Sequence, residues 1–226
     1  MKITFYGHAC FEIESEEIHA LIDPFIKENP LCPVDVSDIK NVSHIFATHG
    51  HDDHLGDTVE IAKRDNSIIV CNFDMAQTLS QYYNKIHPMS IGGRVQMGFG
   101  KVKMTNALHG SYITDHYGQL IYGGTPCGFV IEVEGKKVYH AGDTGLTMDM
   151  KLLADENIDV AILPIGGNFT MDIEDAVKAV SFIRPKMAIP MHYKTFDIID
   201  VDPKEFEQSV KGCKVKIMDL GESINI

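Results

Sequence analysis

The chain is short of positive charge. Twenty Lys and Arg stand against 32 Asp and Glu, a formal net charge of −12. No Lys/Arg stripe offsets this, so a phosphate backbone would be repelled and nucleic acid is not expected as a partner. Long apolar runs are also lacking, and none approaches the roughly 18 residues of a membrane span. The N-terminal stretch Met1 to His8 shows neither an extended apolar segment nor a small-residue cleavage pattern, so the expected location is cytoplasmic. Paired cysteines are missing. Cys10, Cys32, Cys71, Cys127 and Cys213 are scattered, odd in number and never spaced C-x-x-C, the usage of reduced thiols in a reducing compartment. No G-x-x-x-x-G-K-[ST] or G-x-G-x-x-G opens a helix, and no serine, histidine and acid pattern suggests a triad.

What the chain does have is a dense cluster of ligand-type residues, Thr48-His49-Gly50-His51-Asp52-Asp53-His54. The short apolar run Ile45-Phe46-Ala47 leads straight into it, so the cluster sits where a buried strand gives way to a loop. Imidazole nitrogens and carboxylate oxygens are the usual ligands of Zn²⁺, Mn²⁺ or Fe²⁺. If the backbone stays extended, His49, His51 and Asp53 point the same way while His54 faces elsewhere. Two adjacent metal positions are therefore expected.

The remaining chain reads as one α/β domain over residues 1–226, of ordinary globular composition, 44% hydrophobic and 23% charged. Residues 2–6, 10–14 and 18–22 form a strand meander that ends at Asp23-Pro24, where the proline holds Asp23 extended at a strand tip. That position lets a carboxylate reach an active-site loop; a plain turn residue is the alternative. Residues 24–41 and 111–126 are expected to be irregular loops shaping the site. Helices are expected at 55–66, 75–83, 149–157, 172–183 and near 203–209. Strands are expected at 67–71, 94–97, 101–105, 128–134, 136–139, 160–163, 187–189, 214–218 and 222–225. Each half of the chain runs from β-rich to alternating β and α, which suggests a pseudo-symmetric sandwich with sheets inside and helices outside.

Further strand ends deliver His109, Asp143 and His192. His8, in the turn Gly7-His8-Ala9-Cys10, is a candidate proton donor or hydrogen-bond partner in the pocket, with a structural histidine as the alternative. His140 is read as structural, and His19, His44 and His87 have no supporting context. His116, Asn168 and Thr170 are candidate substrate contacts by their loop positions, although ordinary loop chemistry explains them equally well.

Taken in order, Asp23, the H-x-H-x-D-H stretch, His109, Asp143 and His192 resemble the five motifs of the metallo-β-lactamase-fold superfamily, across nearly the whole chain. The pieces Gly7-His8-Ala9-Cys10-Phe11, Leu21-Ile22-Asp23-Pro24 and Gly166-Gly167-Asn168-Phe169-Thr170-Met171 resemble more particularly the UPF0173 metal-dependent hydrolase group. That group is related to the ascorbate-6-phosphate lactonases and the N-acyl-phosphatidylethanolamine phospholipases. The resemblance implies a four-layer αββα sandwich. It also implies two divalent ions, zinc ahead of manganese, nickel or iron. One ion would lie on His49, His51 and His109, the other on Asp53, His54 and His192, with Asp143 bridging and Asp23 orienting a ligand loop.

The implied reaction is hydrolysis of an ester, lactone, amide or phosphodiester of a small molecule by a metal-bridging hydroxide. Asp53, Asp143 and His8 are its catalytic candidates. The alternative is an iron-dependent redox enzyme acting on a thiol or persulfide. Relatives of this kind suggest a homo-oligomer. The chain lacks room for the extra domain of the nucleic-acid-cleaving members or for the flavin domain of the diiron oxygen reductases.

Overall fold

Short strands with apolar residues on both faces build two sheets that helices cover from outside. The computed structural model describes residues 1–226. The first half supplies β1 (Lys2–Phe5), β2 (Phe11–Glu14), β3 (His19–Ile22), β4 (His44–Phe46), β5 (Ile68–Asn72) and β6 (Ile86–Met89). Between them lie α1 (Asp52–Leu55), α2 (Thr58–Asp65) and α3 (Phe73–Leu79). The second half supplies β7 (Arg94–Met97), β8 (Gly100–Asn106), β9 (Tyr112–Thr114), β10 (Leu120–Tyr122), β11 (Cys127–Val133) and β12 (Lys136–His140). It continues with β13 (Val160–Pro164), α4 (Ile173–Ile183), β14 (Met187–Met191), α5 (Pro203–Ser209), β15 (Lys214–Val215) and β16 (Ser223–Asn225).

The two seven-stranded sheets run β16-β1-β2-β3-β4-β5-β6 and β15-β14-β13-β12-β11-β8-β7. In the first, β16 through β3 pair antiparallel and β3 through β6 parallel. In the second, β7 through β12 pair antiparallel and β12 through β15 parallel. The plans are the same, which bears out the expected pseudo-symmetry. Asp23 after β3 and Asp143 after β12 occupy equivalent places, each following the strand where antiparallel pairing changes to parallel.

Side-chain alternation explains the layers. Ala20, Ile22, Phe46 and Val70 face inward, in a cluster of 41 buried residues that also holds Phe129, Ile131, Ala161 and Ile189 of the second sheet. Leu21, Ile45, Ile69 and Cys71 face outward, against Ile61 and Ala62 of α2 and Met75 and Leu79 of α3. On the other side α4 contributes Ala176, Ala179, Val180 and Ile183 to the large cluster, from its one apolar stripe. Helix, sheet, sheet and helix are the four expected layers.

Several local expectations are corrected. The helix expected over 55–66 is two pieces, because Gly56 leaves helical geometry at φ 39°; Asp57 then accepts hydrogen bonds from Ile26 and Lys27 backbone N–H groups. Residues 111–126 are not a plain loop, since β9 and β10 pair there as a small flap. The 148–156 segment is a 3₁₀ helix. Its buried residues, Met150 and Leu153, lie three apart, a spacing that suits three residues per turn. The closing strand expected over 214–218 ends at Val215.

Candidate metal centre

The turns that carry the ligand candidates follow the ends of β3, β4, β8, β12 and β14. This is where parallel strands commonly present their functional loops. His51 is still extended (φ −64°, ψ 147°), and the chain then enters α1. The alternation expected through Asp53 therefore stops at His51. The helical turn brings Asp53 and His54 to one cluster with His8 and His192, while the His54 ring still packs on His49 at 4.2 Å. Two groups of ligand-type residues stand here, His49, His51 and His109 in one and His8, Asp53, His54 and His192 in the other, and a third, Asp23, His49 and His54, joins them.

In the first group His51 Nδ1 lies 2.9 Å from His49 Nε2 and 3.3 Å from His109 Nε2. The Thr48 hydroxyl donates to Asp23 Oδ2 at 2.6 Å, so His49 Nδ1–H donates to Thr48 Oγ1 at 3.0 Å. That fixes the tautomer and leaves the His49 Nε2 lone pair aimed at the other two rings. Burial pushes the pKa values of His49, His51 and His109 below the ordinary imidazole value. Neutral imidazoles are the form that binds a cation.

In the second group His54 Nδ1 donates to Asp23 Oδ2 at 2.8 Å, so its Nε2 faces the site, 3.3 Å from Asp143 Oδ1. Asp143 Oδ2 lies 3.0 Å from His192 Nε2 and 3.5 Å from His109 Nε2. This carboxylate therefore touches both groups. Burial raises the Asp143 pKa, but His54 and His192 outweigh it and hold it well below the usual range. Burial lowers that of His54, yet Asp143 and Asp23 outweigh it and hold the ring well above its ordinary value. Two carboxylates thus demand positive charge at this point.

His8 Nε2 sits 3.2 Å from Asp53 Oδ2, and His8 Nδ1 pairs with Thr195 Oγ1 at 2.9 Å. Burial lowers the His8 pKa to about 4. Sequence reading offered His8 as a pocket residue or a structural histidine; it is buried beside Asp53 and does not line the cleft above the centre, and Thr195, whose only signal is its position three residues after His192, was missed.

The donor set fits divalent ions. His8 Nε2, His54 Nε2, His192 Nδ1 and Asp143 Oδ1 are buried without a hydrogen-bond partner. Such an atom costs about 1–3 kcal/mol if left alone, and His54 Nε2 and Asp143 Oδ1, which face each other at 3.3 Å, suit a cation. Backbone strain concentrates here as well: His8, Asp23 and His192 have φ of 56°, 46° and 57°, a region costly for non-glycine residues, so Asp23 is left-handed and not extended as expected before Pro24. Gly50, between His49 and His51, must lack a side chain, because a Cβ would lie 2.6 Å from the Tyr112 carbonyl oxygen.

Supporting bonds tie the turns together. Leu108 N–H donates to Thr144 Oγ1, Met171 N–H to the Thr144 carbonyl, and His192 N–H to the His8 carbonyl. His140 donates from Nε2 to the Ala9 carbonyl and accepts the Gly142 N–H at Nδ1. It clamps the His8 and Asp143 turns, which agrees with its structural reading.

Over the centre opens a cleft of about 420 Å³. His51, Asp53, His109, Asp143 and His192 form its floor, and Phe25, Tyr112, Phe169 and Phe196 stand in its walls. None of these four aromatics was expected from the sequence. Asn168 and Thr170 do not line the cleft; their neighbour Phe169 does. His116 is exposed in the β9–β10 turn, its ring tilted 43° against Tyr117 at 3.8 Å, and also misses the wall. No helix is long and apolar enough to cross a membrane.

Comparison with known proteins agrees with this architecture. Residues 19–193 match the family model described as "Beta-lactamase superfamily domain". A UPF0173 metal-dependent hydrolase of Alkaliphilus metalliredigens is 54% identical over 225 residues, covering all of both chains. One of Bacillus cereus is 46% identical over 228 residues, again at full coverage. The solved structure of Igni18, described as a novel metallo hydrolase from Ignicoccus hospitalis, superimposes with a TM-score of 0.88 at 36% identity, covering 99% of this chain and 97% of that one. The chain belongs to the UPF0173 metal-dependent hydrolase family of the metallo-β-lactamase superfamily.

Proposed function

We propose that the protein hydrolyses an ester, lactone, amide or phosphodiester of a small molecule at a dinuclear centre, with zinc the first candidate metal. His49, His51 and His109 would hold one ion, and Asp53, His54 and His192 the second, with Asp143 between them. Bound there, the ions would acidify a water and stabilise the negative charge that develops on the substrate. The single observation that carries this reading is the position of Asp143, whose two oxygens face His54 on one side and His109 and His192 on the other.

The chain's own residues supply orientation and proton handling. Asp23 orients His54 directly and His49 through Thr48. Thr195 orients His8, which leaves His8 Nε2 facing Asp53. From there His8 steadies the Asp53 carboxylate and can pass a proton at the cleft floor. The aromatic walls narrow access of bulk water to the buried floor.

The test is a metal-dependent hydrolysis screen over lactones, esters, amides and phosphodiesters, run with Asp143→Asn and His51→Ala alongside. Turnover lost in both variants, with metal content lowered, supports the reading. Undiminished hydrolysis in both would sink it.

A further inference from the structure

The walls of the cleft carry information about the part of the substrate that does not react. Four chain segments far apart in sequence each place one aromatic ring there. Phe25 comes from the stretch after β3, Tyr112 from the flap, Phe169 from the loop after β13 and Phe196 from the stretch after β14. Tyr112, Phe169 and Phe196 remain 40%, 53% and 41% exposed, although rings of this size normally gain by burial. The rings also reach the centre itself: Tyr112 packs on His51 at 4.4 Å, and Phe25 and Phe196 lie 5.8 and 5.6 Å from His8.

The charge pattern is as telling. The only carboxylates in the wall above the floor are Glu28 and Asp52, both exposed, and no Lys or Arg lines the cleft. Lys27, in the adjoining cleft, is paired with Glu60. The first turn of α1, next to the floor, carries Asp52 and Asp53. A remote phosphate or carboxylate would thus meet two carboxylates and no fixed cation, a repulsive arrangement at short range. An apolar group would instead cover ring surface that is otherwise wet.

We propose that the substrate's remote portion is an apolar, aryl-sized group without negative charge, held between Phe25, Tyr112, Phe169 and Phe196. This rests on the dinuclear-centre reading and narrows it. Sugar phosphates and nucleotides fall outside the class; aryl and alkyl carbonyl compounds fall within it, and a cationic tail is tolerated by the rings and carboxylates together.

Hydroxamic acids separate the two layers of the argument, because the hydroxamate seeks the metal while the tail samples the walls. Dissociation constants are measured on metal-loaded and chelator-treated protein for acetohydroxamate, 4-phenylbutanehydroxamate, 5-(trimethylammonio)pentanehydroxamate and the carboxylate-tailed adipic monohydroxamate. The expected result is phenyl-tailed binding at least tenfold tighter than carboxylate-tailed, with the cationic probe also ahead of the carboxylate. The double variant Phe169→Ala/Phe196→Ala should lose at least tenfold more affinity for the phenyl-tailed probe than for acetohydroxamate. Glu28→Lys should improve the carboxylate-tailed probe.

Metal-dependent binding that is indifferent to the tail, or best with the carboxylate, overturns the proposal and leaves the metal centre standing. Absence of any metal-dependent binding overturns the metal-centre reading and the proposal with it.

Discussion

Asp23 shows how much of the centre depends on residues that touch no substrate. Fully buried, it accepts hydrogen bonds from Thr48 N–H, the Thr48 hydroxyl and His54 Nδ1. Asp23→Asn keeps the shape and tolerates the left-handed backbone, but it presents an amide to groups that need an acceptor. Metal affinity and turnover should each fall about 10–100-fold, which metal titration followed by assay would reveal; unchanged affinity would remove Asp23 from the scheme. The ligand candidates were legible in the sequence because H-x-H-x-D-H packs them into six residues at a strand end. The aromatic walls were not, because Phe25, Tyr112, Phe169 and Phe196 are single apolar residues in separate loops, indistinguishable in sequence from core.

At the scale of elements, the turn from β4 into α1 decides which ligand faces which group. Strands were readable from alternation and apolar runs, but the start of a four-residue helix at Asp52 left no periodic signal, so alternation alone set Asp53 beside His49 and His51, and only the family resemblance grouped it with His54 and His192. Gly50 is the hinge of that turn. Gly50→Ala drives a methyl group into the Tyr112 carbonyl and lies 2.7 Å from Ile113 Cγ1, so the flap or the ligand turn must shift. A stability loss of about 1–3 kcal/mol is expected, with reduced metal retention; chemical denaturation and metal analysis of the variant measure both.

The β2–β3 hairpin supplies a pH prediction remote from the centre. His19 Nε2 lies 2.7 Å from Glu12 Oε1. The bond from Glu12 raises the His19 pKa against partial burial. Burial raises that of Glu12, but bonds from His19 and Tyr6 overcome it and lower it. The histidine's contribution is fully present below its unfolded value of about 6.5 and is lost as pH rises through the higher folded value. The carboxylate's contribution is present above its unfolded value of about 4.3 and fades as pH falls through the lower folded one. The stability difference between wild type and His19→Gln should therefore peak between roughly pH 4.3 and 6.5 and shrink toward pH 9. A flat difference across that range would contradict the pairing.

For the whole molecule, the centre is a seam between halves. His49, His51, Asp53 and His54 follow β4 of the first sheet, whereas His109, Asp143 and His192 follow β8, β12 and β14 of the second. Ions held by both sets would fasten the sheets at the end where the loops diverge. Metal at 100 times its dissociation constant stabilises a native state by about 2.7 kcal/mol if the unfolded chain does not bind it. At about 2–4 °C per kcal/mol for a chain of this size, chelation should lower Tm by roughly 5–10 °C; an unmoved Tm would argue against a structural link. The pseudo-symmetry was visible in the sequence only as a repeated order of strands and helices. Its physical basis, the same antiparallel-to-parallel change in both sheets, needed the pairing partners, and β16 pairs with β1 from the far end of the chain.

The most direct test of the central claim is the metal content of protein purified without added metal, measured for wild type, His51→Ala and His192→Ala. Two equivalents per chain in the wild type, with each variant retaining one, is the predicted result. One equivalent or none in the wild type, or two retained in both variants, would contradict a dinuclear centre divided between these two groups of side chains.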